Sequence, residues 1–143
     1  MPLKNYTTKI SSFQSIGEIQ QMLAAAGATR IMQELEKGRV TGVSFEILTP
    51  LGYRQYQLPA HTQKVLAVLK KQGIKADAEQ AERVAWRILR DWVAAQMAIL
   101  ETEMVSADEI FFPYMLGKNG NTLYTEYALH NGAYIAIEGE SPE

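Results

Sequence analysis

One long stretch, from Asp77 to Met104, constrains the fold more than any other part of the chain. It contains no Gly or Pro and is rich in Ala, Leu, Arg, Glu, Gln and Met, which are strong helix formers. Asp77 is a favourable N-cap residue, and Gln80 follows it at the spacing of a capping box. At about 1.5 Å per residue such a helix is roughly 40 Å long, which spans a domain of this size. We therefore predict one helix over about 78–105 that organises the other elements.

The apolar side chains of this helix recur at steps of three and four residues and therefore share one broad face. The face comprises Ala81, Val84, Ala85, Ile88, Trp92, Ala95 and Ile99, flanked by Leu89, Val93, Met97, Leu100 and Met104. A stripe this wide predicts packing against other elements on two sides. We expect Trp92 to lie at the centre of the core, between the helix and a sheet. Because short elements cannot cover so much apolar surface, we also expect a homo-oligomer, a dimer or larger.

The part of the chain before the long helix predicts a helix followed by a small sheet. Residues 3–10 alternate loosely, as in a strand or an extended arm. Ser15 and Glu18 have capping-box spacing, which predicts a helix over 15–26 that Gly27 ends. Three alternating segments follow, at about 29–36, 40–48 and 53–58, and a helix over 60–72 ends before Gly73. Their short connections require an antiparallel meander, since parallel strands need long crossovers.

Shorter elements are predicted after the long helix. Ser106 and Glu109 form a second capping-box pattern, opening a short helix that must distort near Pro113. Residues 118–121 predict a loop, and Asn121 is expected to cap a last helix that runs to about His130. Residues 133–138 alternate like a strand, and Asn131-Gly132 before them is a hairpin signal. The whole chain, 1–143, therefore predicts one α+β domain: an N-terminal helix, a three-stranded antiparallel meander and a helical C-terminal half.

Composition excludes several classes of site. The chain has no cysteine, which rules out disulfides, thiolate zinc sites and thiol nucleophiles and favours a reducing cytoplasm. The N-terminus has no apolar signal-peptide core, and no apolar run approaches the length of a membrane span. His61 and His130 have no partners at metal-ligand spacing, and no phosphate-binding or hydrolase motif is present. We therefore expect no enzyme activity, no cofactor and no metal.

Charge is distributed unevenly along the chain. Between Lys64 and Arg90 there are seven basic residues and three acids, whereas from Glu101 onwards eight acids accompany one lysine. Arginines at helical spacing predict either a solvated face paired with its own acids (Glu79 with Arg83, Arg87 with Asp91) or a row that docks phosphates. The tyrosines around 53–56 predict either the cover of a sheet edge or a platform for stacked bases. The candidate nucleic-acid contacts are Arg83, Arg87, Arg90, Lys70, Lys71, Lys75, Tyr53, Arg54 and Tyr56.

Several segments together resemble a family of short, functionally uncharacterised proteins of bacteriophages and mobile elements. They are KNYTTKI, GATRIM, VSFEILTP, YQLP, AWRILRDWVAAQMAILE, FFPYM and TLY, which together span most of the chain. The resemblance implies a cytoplasmic role in phage or mobile-element biology, among proteins of DNA metabolism. The predicted order of helix, meander and helix also resembles the core of single-strand annealing proteins, a likeness of topology alone.

Two hypotheses of function follow, beside a third, an enzyme of unrecognised type, that no constellation of residues supports. The first is a non-enzymatic accessory protein of a phage or mobile element that binds or anneals single-stranded nucleic acid. The second is a protein-interaction module that forms a homo-oligomer without binding nucleic acid. A sequence pI near 5.7 counts against the first hypothesis. Salt-dependent binding of a single strand would distinguish them, since phosphate contacts release counterions.

Overall fold

A three-stranded antiparallel sheet lies at the centre of the chain in the computed structural model, which describes residues 1–130. Strand β1 covers Ala28–Glu36, β2 covers Arg39–Thr49 and β3 covers Gly52–Gln57, in the spatial order β1-β2-β3. Lys37 and Gly38 form the first turn with φ of 51° and 78°, the positive values that a type I′ hairpin needs. The predicted meander is confirmed.

Five helices accompany the sheet in the described part of the chain. They are α1 (Ser12–Ala25), α2 (Thr62–Lys71), α3 (Ala78–Glu101), α4 (Ala107–Ile110) and α5 (Leu123–Leu129), with a short 3-10 turn at Phe112–Tyr114. The predicted start of α1 at Ser15 is wrong. Ser11 is the N-cap, because its hydroxyl accepts the Gln14 amide at 3.0 Å, and Ser15 is buried inside the helix. Gly27 follows the end of α1 with φ of 100°, as predicted.

The long helix α3 is confirmed, with two corrections at its ends. Asp77 caps it by accepting the Gln80 amide at 2.8 Å. The Gln80 side chain completes no capping box, because it donates instead to the backbone carbonyls of Tyr6 and Thr8. The helix ends at Glu101, earlier than predicted, and Glu103 leaves it with φ of 61°.

The core lies between the inner face of the sheet and the helices α1 and α3. Trp86, which the predicted apolar stripe left out, is 1% exposed and lies in this core beside Leu89 and Val93. The predicted central position of Trp92 is wrong: its ring is partly buried at the edge, 5.8 Å from Phe111. The predicted face is confirmed over the first turns of α3, where Ala81, Val84 and Ala85 are buried. In the later turns the buried line passes through Leu89 and Val93, one residue step of about 100° from the predicted Ile88 and Trp92. Both α1 and α2 also pack against α3, which accounts for its wide apolar stripe.

The segment before α1 is an arm fixed to the helices. Residues 4–7 form a turn, with Asn5 at φ of 64°, so the alternative of a strand over 3–10 is wrong. The Leu3 amide donates to the Gln72 side chain at 2.9 Å, and the Asn5 side chain donates to Asp91 at 2.9 Å. The arm is therefore held by hydrogen bonds to these polar side chains and not by pairing with a strand.

The segment after α3 covers one edge of the sheet. Ser106 and Glu109 form the predicted capping box, and Met115 makes an isolated bridge to Tyr56 on β3. Thr122 caps α5 by accepting the Thr125 amide, so the predicted cap at Asn121 is wrong. The predicted strand at 133–138 lies outside the described residues. Within residues 1–130, no helix is long and apolar enough to cross a membrane.

Candidate functional site

The three arginines of α3 form ion pairs within the fold. Arg87 and Arg90 both reach Glu18 on α1, at 2.9 Å and 3.3 Å, and Arg83 pairs with Glu79 at 3.2 Å. The side chains of Arg87, Arg90 and Arg83 are 16%, 30% and 27% exposed. The predicted pairing of Arg83 with Glu79 is confirmed. The Glu18 carboxylate joins Arg87 and Arg90 across the α1–α3 contact, so the three arginines are not an open row for phosphates.

The acids of this network have altered proton affinities. The hydrogen bond from Arg87, with the charge of Arg90, lowers the pKa of Glu18 although burial opposes the shift. Burial alone would raise the pKa of Asp91, but Asn5, Lys4 and Arg90 together hold it below its ordinary value. The predicted pairing of Arg87 with Asp91 is wrong, since Asp91 instead contacts Lys4 at 3.3 Å and Asn5. The network ties α1, α3 and the N-terminal arm together.

The two candidate stacking tyrosines of β3 lie on opposite faces of the sheet. They are three residues apart, and strand side chains alternate between faces. Tyr53 is 59% exposed on the outer face, whereas Tyr56 is fully buried and stacks on Phe45 with 5.2 Å between ring centroids. Arg54 donates from its guanidinium to the Tyr53 carbonyl at 2.8 Å. The prediction that Tyr56 stacks on a base is wrong in this fold, because the core already covers its ring.

The Tyr56 hydroxyl is an unusual core group. It is buried and has no hydrogen-bond partner among the described residues. Burial raises its pKa, with a smaller contribution from the charge of Asp108. A neutral phenol packed among aromatic rings supports a structural role for this residue.

The predicted lysines form the exposed basic surface. Lys70 and Lys71 occupy the last turn of α2, and Lys75 follows in the connection to α3. All three are exposed, and none has an ion-pair partner within residues 1–130, nor does Lys64 on the same helix. This cluster, Lys64, Lys70, Lys71 and Lys75, is therefore available to an external anion, unlike the arginines.

An open sheet edge on β1 is the feature that the sequence reasoning missed. Within residues 1–130 β1 pairs with β2 alone, and seven of its nine residues are exposed there. Met32 and Leu35 on it are 64% and 65% exposed. The meander order itself is a signal for this edge, since the first strand of a meander has a neighbour on one side only.

The opposite edge of the sheet, on β3, is hydrogen-bonded to a later segment of the chain. There, the Leu116 amide donates to the Gln55 carbonyl of β3 at 2.7 Å, beside the Tyr56–Met115 bridge. The chain thus covers the β3 edge with its own backbone. In the part of the chain that the structure describes, no strand or bridge covers the β1 edge.

No other described element covers the outer face of the sheet. Besides Met32, it exposes Leu48 at 58% and Tyr53 at 59%. The register places Ser44 between Met32 and Gln57, and Glu46 between Arg30 and Gln55. The result is a mixed apolar and polar surface, continuous with the open β1 edge.

No metal centre accompanies these surfaces: residues 1–130 contain no group of three His, Cys, Asp or Glu side chains that could hold an ion. Comparison of the chain with protein-family models, with curated protein sequences and with solved structures gave no significant match. The resemblance to phage and mobile-element proteins stays a prediction, and the surfaces alone support a proposal of function.

Proposed function

We propose that this protein is a non-enzymatic interaction module that forms a homodimer through antiparallel pairing of β1 with the β1 strand of a second copy. The observation that carries the proposal is the open β1 edge beside a β3 edge that the chain covers itself. Antiparallel pairing about a two-fold axis joins the same edge of both copies and closes the assembly. It yields one continuous six-stranded sheet and satisfies backbone groups that are otherwise left to water.

The charges of β1 favour one register for this pairing. The strand is regular from Arg30 to Glu34, with irregularities on either side. If the two-fold axis passes at Met32, Arg30 of each copy lies opposite the partner's Glu34, and the two methionines face each other. Arg30, Met32 and Glu34 share the outer face because side chains alternate along a strand. Opposite charges directly across a strand pair contribute about 0.2–1 kcal/mol each.

These side chains are free to make such contacts. The Arg30 side chain is 82% exposed and lies 3.9 Å from Glu46, at the limit of an ion pair. Glu34 is exposed and has no ion pair within residues 1–130. Charges on an edge strand commonly prevent pairing with other chains. Here the positive and negative residues, Arg30 and Glu34, are placed so that each lies opposite its counter-charge in a second copy of the strand.

Light scattering on charge-swapped variants tests this proposal. The wild type should have about twice the 16.0 kDa mass of one chain. Arg30→Glu or Glu34→Arg should each shift the equilibrium to monomer, because like charges then face each other twice. The double variant Arg30→Glu/Glu34→Arg should restore the dimer. A monomeric wild type, or a double variant no better than the single ones, contradicts the proposal.

The second candidate function is binding of single-stranded nucleic acid, which the unpaired lysine cluster on α2 favours. Lys70 and Lys71 are exposed and without acid partners among the described residues, so their charges can neutralise phosphates. Tyr53 remains an exposed ring on the outer sheet face. The resemblance to phage and mobile-element proteins and the lack of cysteine support a cytoplasmic role of this kind.

Salt-dependent binding to a single-stranded oligonucleotide tests the second function. Each lost phosphate contact should lower the slope of log affinity against log salt by roughly 0.7. We expect Lys70→Gln/Lys71→Gln to lower this slope. Arg87→Gln serves as the matched control and should leave the slope unchanged, since Arg87 is held by Glu18. Equal effects of both variants, or no binding by the wild type at low salt, contradict this function.

A further inference from the structure

A groove opens where α1 and α3 both end. Its walls are the last turn and C-cap of α1 (Met22, Ala25 and the C-cap Ala26), the end of α3 (Met97, Leu100, Glu101) and the segment 103–109. The cavity measures about 850 Å³. Its lining includes no residue of β1 and no lysine, so neither proposed function uses it.

The floor of this groove is apolar and adaptable. Met22, Met97, Leu100 and Val105 line it, and each is only partly buried. Methionine side chains are flexible and polarizable, and they recur on protein surfaces that accept apolar anchors from a partner. Met104, which is 72% exposed, extends the apolar surface next to the groove.

The rim of the groove is negative. Glu101 and Glu103 are exposed and have no ion pair within residues 1–130, and no lysine or arginine lines the cavity. The negative ends of two helix dipoles add to this charge. Neither α1 nor α3 has a basic residue in its last turn, where one would normally be favourable.

We propose that this groove binds a basic amphipathic helix of a partner protein. Apolar side chains at helical spacing on such a helix would enter between the methionines, in the helix-in-groove mode of recognition. Its lysines or arginines would meet Glu101 and Glu103 at the rim. Opposite charge at the rim gives selectivity and faster association, whereas the apolar floor holds the bound helix.

Charge argues against the other occupants. Residues 131–143 of the chain contain three acids and no lysine or arginine, so their sequence offers no positive charge to the rim. A second copy offers lysines on α2, but Leu69 of that helix is fully buried and Val65 and Leu66 are partly buried. Val68, at 37% exposed, leaves α2 little apolar surface to place in the groove. Nucleic acid is repelled by the same carboxylates.

Fluorescence anisotropy with a synthetic peptide tests the proposal. The probe is a labelled peptide of about 18 residues, roughly five helical turns, made of leucine and lysine at amphipathic spacing. A scrambled peptide of identical composition is the control for charge alone. We expect the amphipathic peptide to bind more tightly than the scrambled one, and Glu101→Lys/Glu103→Lys to weaken its binding by about tenfold or more.

Two further variants separate this site from general attraction. Glu79→Lys makes the same kind of charge change at the other end of α3, outside the groove, and should have little effect. Met97→Asp places a charge on the apolar floor and should weaken binding while circular dichroism shows that the helices persist. Equal binding of the scrambled peptide, or equal loss in Glu79→Lys, overturns the proposal. A change of oligomeric mass in Glu101→Lys/Glu103→Lys also overturns it, because the groove would then join copies of this chain.

Discussion

At the scale of single residues, the Tyr56 hydroxyl gives a prediction that separates a core role from a binding role. Because it is buried without a hydrogen-bond partner among the described residues, it costs desolvation free energy. We expect Tyr56→Phe to raise the free energy of unfolding by up to about 1 kcal/mol, measured by urea denaturation. The variant keeps the ring that stacks on Phe45. A loss of more than about 1 kcal/mol would show that the hydroxyl makes a stabilising contact.

The two tryptophans provide a second prediction at this scale. Trp86 is 1% exposed in the core, whereas Trp92 packs at its edge against Phe111 and Tyr114. Trp86→Ala should lower the free energy of unfolding by about 3–5 kcal/mol. Trp92→Ala should lower it less, by about 1–3 kcal/mol, since part of its surface already contacts water. If Trp92→Ala lowered the free energy of unfolding as much as Trp86→Ala or more, Trp92 would lie at the centre of the core, as the sequence pattern predicted.

Residues whose role depends on nearby neighbours were predictable from the sequence. The Asp77 cap and the box of Ser106 and Glu109 each involve atoms three residues apart, so spacing alone reveals them. The partner of Arg87 is Glu18, 69 residues away, and no local pattern indicates it. The predicted cap at Ser15 failed because the capping-box spacing to Glu18 does not distinguish it from Ser11, which also precedes apolar residues at helical spacing.

At the scale of elements, Glu18 joins α1 to α3 and makes their packing sensitive to pH. Its pKa in the folded chain lies below its ordinary 4.5, mainly because Arg87 donates to it. The unfolded chain therefore binds more protons as the pH falls through this range. Stability from this pair is complete above about pH 4.5 and is lost as the pH drops towards the folded pKa.

Chemical denaturation at a series of pH values checks this effect. Glu18→Gln should be less stable than the wild type at about pH 6 and should lose less stability on acidification to about pH 3. Arg87→Gln should flatten the same dependence, because it removes the main cause of the shift in the pKa of Glu18. Protein concentration must be fixed, since formation of the proposed dimer would alter the apparent stability. If neither variant changed how the free energy of unfolding depends on pH, the Glu18–Arg87 pair would contribute nothing to that dependence.

The elements themselves followed from the sequence, whereas their orientation did not. Alternation and turn residues located all three strands to within one residue at each end, because these signals are local. The direction in which the later turns of α3 face the core was missed, because the apolar stripe is wide enough to allow more than one such direction. The preference for Trp86 over Trp92 at the centre depends on where α1 and the sheet lie.

At the scale of the whole molecule, the proposed dimer depends on the difference between the two edges of the sheet. The sequence predicted a homo-oligomer from the width of the α3 stripe, but α1 and α2 cover much of that surface. The structural support for a dimer comes instead from β1, whose edge carries no other strand within residues 1–130. Edge exposure is a property of topology, so periodicity along the chain could not locate it.

A single introduced cysteine tests the proposed dimer most directly, because the natural chain has none. In the proposed register Met32 faces its own copy across an antiparallel pair, with Cα atoms about 4.5–5.5 Å apart, which a disulfide can bridge. Gln55→Cys is the matched control, since it lies on β3, away from the open edge. We predict that mild oxidation links Met32→Cys into a dimer on a non-reducing gel and leaves Gln55→Cys monomeric. A monomeric Met32→Cys, or equal linkage of both variants, would contradict pairing through β1.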